Sequence, residues 1–510
     1  MSKRLSTGLS RRTFLAGSTA LGVLALSGAG RAFAADVDFK IPAPIGDLKA
    51  DGPFRWIDSG DQKAVFFKEF MPAYGKARGI ETAYDALPWN EIATVLPLGI
   101  RNGTAQDAFC LPLNVSPGLA VTQGWVQPLD GLIPDIETWK AGFPPGAFLE
   151  GINVFDGKTY GLPYTSAKVS SAHVLFNRKY MQAAGYDPET TPLTWTTFRE
   201  AAKKITQAGN GAYYGFIIGG GQINRWQDTV RTIAQMAGAS GGSSSFYSDL
   251  DFRTGELQYT SDAYIGAVEL LMALQSDGSV FPGVMGLNAP QARAFMPQGV
   301  SGMILQGPWN VPQWERENPD FDFGVAQPPN PDSGKASPII TGTLAAASNI
   351  MFIYAKAKNP TIAADVFHYL GTEDGQVAWG SLDGPADPPI FPSAIAKASM
   401  SDRSKAILQM SNDIIRVGPN PLVRNPDLAE VVKVYQEPTP SFAQTVQGLF
   451  TGQIQGVKEN MQKLQDATNQ QIDAAFKQAQ ASGAKISRDD LVFANWDPAN
   501  DYTDAEYKAL

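Results

Sequence analysis

The sequence predicts an α/β fold, and three observations carry this prediction. Between residues 54 and 111, short apolar segments alternate with segments whose apolar residues recur every three or four positions. This alternation is typical of βαβ units on a parallel sheet. A further long helix is predicted near the carboxyl end, where one face carries Val457, Met461, Leu464, Thr468, Ile472 and Ala475. The 510 residues are enough for two large lobes or for about three domains.

The elements can be placed along the chain from these patterns. The predicted strands cover residues 54–58, 80–84, 107–111 and 169–176. The predicted helices cover residues 91–100, 194–206 and 262–275, and another follows the first strand with Val65, Phe66, Phe67, Phe70, Met71 and Tyr74 on one face. Residues after Ser487 are acidic and poor in aliphatic side chains. We expect this tail to lie along the surface or to be partly disordered.

The first 34 residues have the pattern of a cleaved export signal. Basic residues come first, an apolar stretch covers residues 14–29, and Ala32-Phe33-Ala34 supplies small residues for cleavage after Ala34. The run Ser10-Arg11-Arg12-Thr13-Phe14-Leu15 is similar to the twin-arginine export motif. The alternative is an ordinary signal with two adjacent arginines. No cysteine lies near the cut, so no lipid anchor is expected, and no later apolar run is long enough to span a membrane.

The composition argues against several classes of partner and site. The formal charge is −9, and it becomes −14 once the five basic residues of the signal are removed. An acidic chain is a poor partner for nucleic acid or for an anionic membrane. Cys110 is the only cysteine, so no intrachain disulfide can form. Only His173 and His368 offer imidazoles, and we predict no metal site and no cofactor.

Several motifs follow one another in a recognisable order. The most specific stretch contains residues 160–164 (Tyr-Gly-Leu-Pro-Tyr), 175–179 (Leu-Phe-Asn-Arg-Lys), Ala184-Gly185 and Thr194-Trp195. The other segments are residues 89–91 and 103–109, residues 299–303 with Gly307-Pro308-Trp309 and 319–326, residues 369–376, and Gly452 with the helix after it. From about residue 54 to residue 476, the chain resembles family 1 extracellular solute-binding proteins. This group includes the maltose-binding and other sugar-binding components of ABC importers.

The resemblance implies a two-lobed periplasmic-binding-protein fold of type II. Lobe one would comprise residues 36–165 and 326–380, and lobe two residues 166–325 and 381–510. The three crossover segments of the hinge would be residues 164–171, 321–328 and 379–389. Extra length relative to the family falls in residues 130–151 and 385–424 and in the tail, and Asp107-Ala108-Phe109 replaces the more usual Pro-Asp-Val.

The resemblance also implies a function without catalysis. A periplasmic monomer would capture a sugar, an oligosaccharide or a polyol between its lobes and deliver it to an ABC permease. The ligand would lie beyond the carboxyl ends of the strands and would favour the closed lobes.

A sugar offers hydroxyl groups at its edge and C–H groups on its faces, so its site needs aromatic surfaces and hydrogen-bonding groups. Trp309 is the first candidate, because the family often has an aromatic residue there. The other candidates lie at strand ends, at polar loops or at crossovers. They are Asp58, Ser59, Trp89, Asn114, Tyr164, Ser166, Arg225, Trp226, Asp228, Gly342, Thr343 and Asp383.

Three alternatives remain open at this point. One is an exported redox enzyme, against which the single cysteine and two dispersed histidines argue. Another is a polysaccharide hydrolase or lyase, since a sequence does not show whether two carboxylates stand at a working separation. The third is a binder that presents its ligand to a sensor instead of a permease.

Overall fold

The computed structural model describes residues 37–60, 63–112, 115–241, 246–345 and 349–510, without the side chains of Asn90 and Asp504. The predicted export signal and the candidate Asn114 therefore lie outside the described residues. None of the described helices combines the length and the apolar composition that a bilayer crossing requires.

The described strands are β1 (Phe54–Asp58), β2 (Thr82–Ala86), β3 (Ala108–Cys110), β4 (Val126–Gln127), β5 (Val154–Phe155), β6 (Lys158–Thr159), β7 (Gly161–Pro163), β8 (His173–Asn177), β9 (Tyr214–Ile217), β10 (Leu250–Asp251), β11 (Glu256–Leu257), β12 (Ser301–Gln306), β13 (Phe323–Ala326), β14 (Ile339–Thr341), β15 (Ile350–Tyr354) and β16 (Ile415–Val417).

The described α-helices are α1 (Lys63–Arg78), α2 (Trp89–Asn102), α3 (Pro117–Thr122), α4 (Ile136–Ala141), α5 (Arg178–Ala183), α6 (Trp195–Gly209), α7 (Asn224–Met236), α8 (Asp262–Ser276), α9 (Ala289–Phe295), α10 (Asn310–Glu317), α11 (Pro360–Leu370), α12 (Glu373–Leu382), α13 (Pro392–Lys397), α14 (Asp402–Ile414), α15 (Pro421–Arg424), α16 (Leu428–Val434), α17 (Phe442–Thr451), α18 (Val457–Ala481) and α19 (Asp504–Lys508).

Two sheets organise the fold. The first has the strand order β2-β1-β3-β15-β4, with β7 also paired to β15. Strand β15 lies near its centre, and its five residues are all apolar and buried, as expected of a strand covered on both faces. The second sheet has the order β13-β8-β12-β9. In it, β8 runs antiparallel to both of its neighbours, while β12 and β9 run parallel.

Two large hydrophobic cores form around these sheets. The first core contains side chains from Phe54 to Tyr164 and from Ala345 to Ile390. The second contains side chains from Ala172 to Ile340 and from Ile407 to Tyr502. We call the parts around them lobe one (residues 37–164 and 345–391) and lobe two (residues 172–341 and 401–510).

The chain changes from one core to the other after residue 164, after residue 341 and after residue 390. The predicted lobe limits were 165/166, 325/326 and 380/381. Strand β14 pairs with β16 and its Ile340 joins the second core, so the chain returns to lobe one only after residue 341. Helix α12 and the loop after it still pack in lobe one, because Trp379 lies against Tyr164. The third crossing therefore follows residue 390.

The first crossing segment runs beside the second and beside the loop that leads into the third. The backbone N–H of Ser166 donates to the carbonyl of Pro388 (2.8 Å), and that of Ala167 donates to the carbonyl of Leu344 (2.7 Å). Thr165 also forms a bridge with Pro389. The crossings are thus tied to each other by backbone hydrogen bonds.

The carboxyl end both confirms and corrects the sequence predictions. In α18, the predicted apolar face from Met461 to Ala475 is buried. The expected surface tail is wrong for its first part, because Leu491, Phe493, Trp496 and Tyr502 lie in the second core. These large side chains lack helical spacing, so no periodic pattern in the sequence predicted their burial.

Candidate functional site

The carboxyl ends of several lobe-one strands meet at one edge of the sheet. Strands β1, β2 and β3 are parallel, and β7 points the same way because β3 and β7 both pair antiparallel with β15. Asp58 ends β1, Asn349 immediately precedes β15, and the chain leaves β7 for the first crossing. This edge therefore lies next to the crossings, where ligands of open α/β sheets bind.

Asp58 is wholly buried and accepts three hydrogen bonds. The donors are the backbone N–H of Gly60 (2.8 Å), the hydroxyl of Tyr84 (2.7 Å) and Nε1 of Trp56 (3.1 Å). Burial raises the pKa of Asp58, while the charge of Lys63 and the hydrogen bonds oppose that rise. The carboxylate thus fixes the loop after β1 and has most of its accepting capacity in use.

Lys63, at the start of α1, is buried beside this loop. Its Nζ donates to Oδ1 of Asn349 (2.7 Å), and Nδ2 of Asn349 donates in turn to Oδ1 of Asp387. The same ammonium group lies 5.0 Å from the ring centre of Trp89. Burial lowers the pKa of Lys63, but the charges of Asp387 and other acidic groups outweigh it and raise that pKa overall. Lys63 therefore stays charged.

Several polar groups near Lys63 are buried without a hydrogen-bond partner among the described residues. They are both carboxylate oxygens of Asp383, the hydroxyl of Tyr164 and the hydroxyl of Ser59. Burial raises the pKa of Asp383 well above its ordinary value, and the charge of Asp387 adds to this rise. A buried polar atom without a partner costs roughly 1–3 kcal/mol. We call Asp58, Ser59, Lys63, Tyr164, Asn349, Asp383 and Asp387 the strand-end cluster.

Lobe two presents an aromatic side chain at the corresponding end of its sheet. Gln306 ends β12 and pairs with His173, which follows the first crossing, so this end is next to the hinge. Trp309 follows, is half-buried and belongs to neither core. Its ring packs against Gly307, where an added Cβ would come within 2.2 Å of ring atoms. Glycine is required there because only its bare backbone leaves room for the indole.

Two buried amides flank Trp309. Gln306 donates through Nε2 to the carbonyl of Ala289 (3.0 Å) but leaves Oε1 without a partner among the described residues. Asn310 accepts through Oδ1 from Arg293 and leaves Nδ2 without one. One acceptor and one donor thus remain beside a partly exposed aromatic face, which suits a ligand with hydroxyl groups.

The candidates on α7 have their polar groups engaged within lobe two. Trp226 is wholly buried, packs on Phe450 with ring centres 4.5 Å apart, and donates through Nε1 to the carbonyl of Gly220 (2.9 Å). Arg225 donates to the carbonyls of Ser171 (2.6 Å) and Leu305 (3.4 Å). These contacts serve folding, so we no longer expect Trp226 or Arg225 to bind the ligand.

The remaining candidates divide between surface and hinge. Asp228 is partly exposed, accepts from Asn224 and faces Arg225 and Arg231 at 4.0 and 3.8 Å. Ser166 and Gly342 line a cavity of about 250 Å³ at the crossings. Thr343 is buried and donates to the carbonyl of Ala345 (2.6 Å). Within the described residues, no group of three or more His, Cys, Asp or Glu side chains is placed to hold a metal ion.

The structure brings together three predicted residues, Asp58, Tyr164 and Asp383. Burial raises the pKa of the Tyr164 hydroxyl, and the charges of Asp58 and Asp383 add to this rise. The structure adds residues that the sequence did not single out, namely Lys63, Asn349, Asp387, Gln306 and Asn310. One pattern in the sequence could have indicated Lys63. It is a charged residue at the start of a helix whose buried face is otherwise apolar.

Comparison with known proteins identifies the family. Residues 59–377 match the family described as bacterial extracellular solute-binding protein, which is more than half of the chain. The chain belongs to this family. The predicted class of solute-binding protein is therefore confirmed, and the described relatives are binding proteins.

Curated relatives of this solute-binding protein are distant. Binding proteins of Brucella abortus strain 2308 and Brucella suis biovar 1 strain 1330 are each 25% identical over 323 residues, which cover 62% of this chain and 71% of theirs. A protein of Sinorhizobium fredii, named as an amino-acid ABC transporter periplasmic-binding protein, is 26% identical over 305 residues, covering 59% of this chain and 65% of its own.

Solved structures confirm the two-lobed periplasmic-binding-protein fold. A solute-binding protein of Thermotoga lettingae, solved with α-D-tagatose, is 18% identical with a TM-score of 0.60 and covers 83% of this chain and 100% of its own. The maltotriose-binding protein of Thermus thermophilus is 20% identical with a TM-score of 0.57, over 82% and 99%. The GacH receptor of Streptomyces glaucescens, solved with acarbose, is 15% identical with a TM-score of 0.60, over 83% and 99%.

Proposed function

We propose that this protein captures a sugar, an oligosaccharide or a polyol between its lobes and delivers it to an ABC permease. The observation that carries the proposal is the half-buried Trp309 at the hinge end of β12, flanked by the partly unbonded amides of Gln306 and Asn310. An aromatic face packs on the C–H surface of a sugar ring, and the amides bond its hydroxyls.

The strand-end cluster of lobe one supplies complementary chemistry. Asp383, Tyr164 and Ser59 keep unbonded oxygens near the crossings, and a hydroxyl-rich ligand or the water around it can satisfy such groups. Trp89 offers a second half-buried indole at the start of α2. The sugars in the similar solved structures, tagatose, maltotriose and acarbose, support the same ligand class.

A second ligand class has support from one relative. The Sinorhizobium fredii protein is named for an amino-acid transporter, and an amino acid would also need charged partners at the site. Lys63 and the carboxylates of the strand-end cluster offer such charges, although Lys63 is already bonded to Asn349.

A thermal-shift screen distinguishes the two classes. Ligand that binds only the folded protein stabilises it by about 2.7 kcal/mol when its concentration is a hundredfold above Kd. We expect a rise in Tm with one or more mono- or oligosaccharides or polyols, and a smaller rise in the variant Trp309→Ala. Rises with amino acids or peptides alone would replace the carbohydrate proposal.

The proposal places the mature protein in the periplasm as a monomer without catalytic activity. Residues 1–34 would direct export, with Arg11 and Arg12 selecting the twin-arginine route. Replacing both arginines with lysine should retain the precursor inside the cell, which cell fractionation would detect. Unchanged export would favour an ordinary signal. Loss of uptake of the identified ligand on gene deletion would separate transport from presentation to a sensor.

A further inference from the structure

The carboxyl-terminal segment, residues 497–510, reaches the hinge. The carboxylate of Asp501 accepts from Nζ of Lys168 (2.7 Å) and from the backbone N–H of Val417 (2.8 Å). Lys168 lies in the first crossing segment, and Val417 belongs to β16, which pairs with the strand that precedes the second crossing. One side chain therefore joins the first crossing to the strand pair beside the second.

Neighbouring residues hold this segment to lobe two. The backbone N–H of Tyr502 donates to the carbonyl of Val417 (2.7 Å), and the hydroxyl of Tyr507 accepts from the backbone N–H of Asn420 (2.7 Å). The rings of Tyr502 and Tyr507 also meet edge to face, 4.7 Å apart between centres. Asp501 is thus fixed in lobe two while it holds a residue of the crossing.

The segment also borders the cavity at the crossings. Pro144, Gly146 and Leu149 line it from lobe one, whereas Leu408 and Asn412 line it from lobe two. Asp501, Tyr502, Thr503 and Tyr507 also line it. Because both lobes contribute walls, the cavity must change shape when the lobes rotate about the crossings.

We propose that residues 497–510 form a latch that restricts rotation of the lobes. The Lys168–Asp501 ion pair holds this latch to the first crossing. The hinge must change backbone angles in the crossings as the lobes open and close. Lys168 cannot move freely with the first crossing while Asp501 holds it to lobe two. The latch thus narrows the range of lobe angles before any ligand binds.

Distance measurements between spin labels on the ligand-free protein test the latch. Labels on Ala77→Cys in lobe one and Glu269→Cys in lobe two report the lobe angle, since both positions are exposed helix residues. The native Cys110 stays unlabelled, because it is buried and burial raises the pKa of its thiol to about 12. Lys168→Met and Asp501→Ala should each broaden the distance distribution, and the double variant should add nothing further.

The matched control is Asp497→Ala in the same segment. Asp497 is exposed, and among the described residues its carboxylate accepts only from Ala499 and Asn500 within its own turn. Its removal should therefore leave the distribution unchanged. In Asp501→Ala, the amide of Val417 should also exchange its hydrogen roughly tenfold faster. Circular dichroism confirms that each variant is folded.

Distributions of equal width in the wild type, in Lys168→Met and in folded Asp501→Ala would overturn the latch. The measurement needs no ligand, so it is independent of the proposed function. A protein that binds no carbohydrate would overturn that function and leave the distance result standing.

Discussion

The facing ends of the two lobes carry different kinds of side chain. Lobe one buries charges there, with Lys63 between acidic groups and with Asp383 lacking any hydrogen-bond partner among the described residues. Lobe two places the half-buried Trp309 between two amides. Its buried cation, Arg225, is bonded instead to backbone carbonyls.

This difference separates polar groups that fold the protein from those that remain available. Arg225 and Trp226 satisfy the backbone of their own lobe, so their chemistry is used before a ligand arrives. Asp383, Tyr164 and the amides beside Trp309 keep unused bonding capacity. We therefore expect substitutions of the first kind to change stability and those of the second kind to change ligand binding.

The largest expected effect comes from removing the buried cation at the facing end of a lobe, which is Lys63 in lobe one and Arg225 in lobe two. Lys63→Met should lower the free energy of unfolding by about 3–5 kcal/mol, because Asp387 and Asp58 would lose their buried counter-charge. Arg225→Met should cost less, about 1–3 kcal/mol, since it mainly leaves backbone carbonyls unbonded. Urea unfolding of both variants measures the difference. Equal costs would mean that the two lobes bury their cations alike.

The tryptophans of lobe two give the next contrast. Trp226→Ala should lower the free energy of unfolding by about 3–5 kcal/mol, because it empties a core position. Trp309→Ala should change stability little but raise the ligand Kd roughly 10- to 100-fold. Calorimetric titration with a sugar found in the screen measures this. Wild-type affinity in Trp309→Ala would remove that residue from the site.

The pH dependence of stability should include an acid-sensitive contribution from lobe two. His173 is wholly buried, and burial lowers its pKa from 6.5 to about 4. The unfolded chain then binds the proton more readily, so stability is lost as the pH falls from 6.5 to about 4. The loss amounts to about 3 kcal/mol. His173→Gln should flatten this part of the stability curve, and an unchanged curve would contradict the assignment.

Lobe one should contribute a dependence of the opposite sign. The pKa of Asp383 is raised above 3.8, so the folded protein binds this proton more readily than the unfolded chain does. Its contribution to stability is therefore lost as the pH rises above 3.8 towards the raised value. Over this range, the Tm of Asp383→Asn should rise relative to that of the wild type as the pH increases. A constant difference between the two would show that Asp383 does not titrate in this way.

Local patterns in the sequence predicted much of the fold but only part of the site. Strand β1 covers residues 54–58, as predicted, and α18 buries the face that its periodicity indicated. Lys63 and Asn349, by contrast, meet across 286 positions of the chain. Such a contact depends on where β15 enters the sheet, and the spacing of residues along the chain does not predict that position.

For the same reason, sequence patterns did not separate Trp226 from Trp309. Both follow polar or glycine-rich segments, and both offered an indole to the ligand. Their difference arises from packing, because Phe450, a residue of a distant helix, covers Trp226. The crossings posed a similar problem, since β14 finds its partner β16 far along the chain.

The position of β15 also bears on the order in which the chain folds. The sheet of lobe two is built from residues 173–326 without interruption, whereas the sheet of lobe one needs residues 350–354 near its centre. A chain emerging from the ribosome can therefore assemble the second sheet before the first is complete. The amino-terminal strands must wait for a partner about 240 residues away, and closing so long a loop slows folding. The sheet of lobe one, although its first strands are translated earlier, would therefore be completed after the sheet of lobe two.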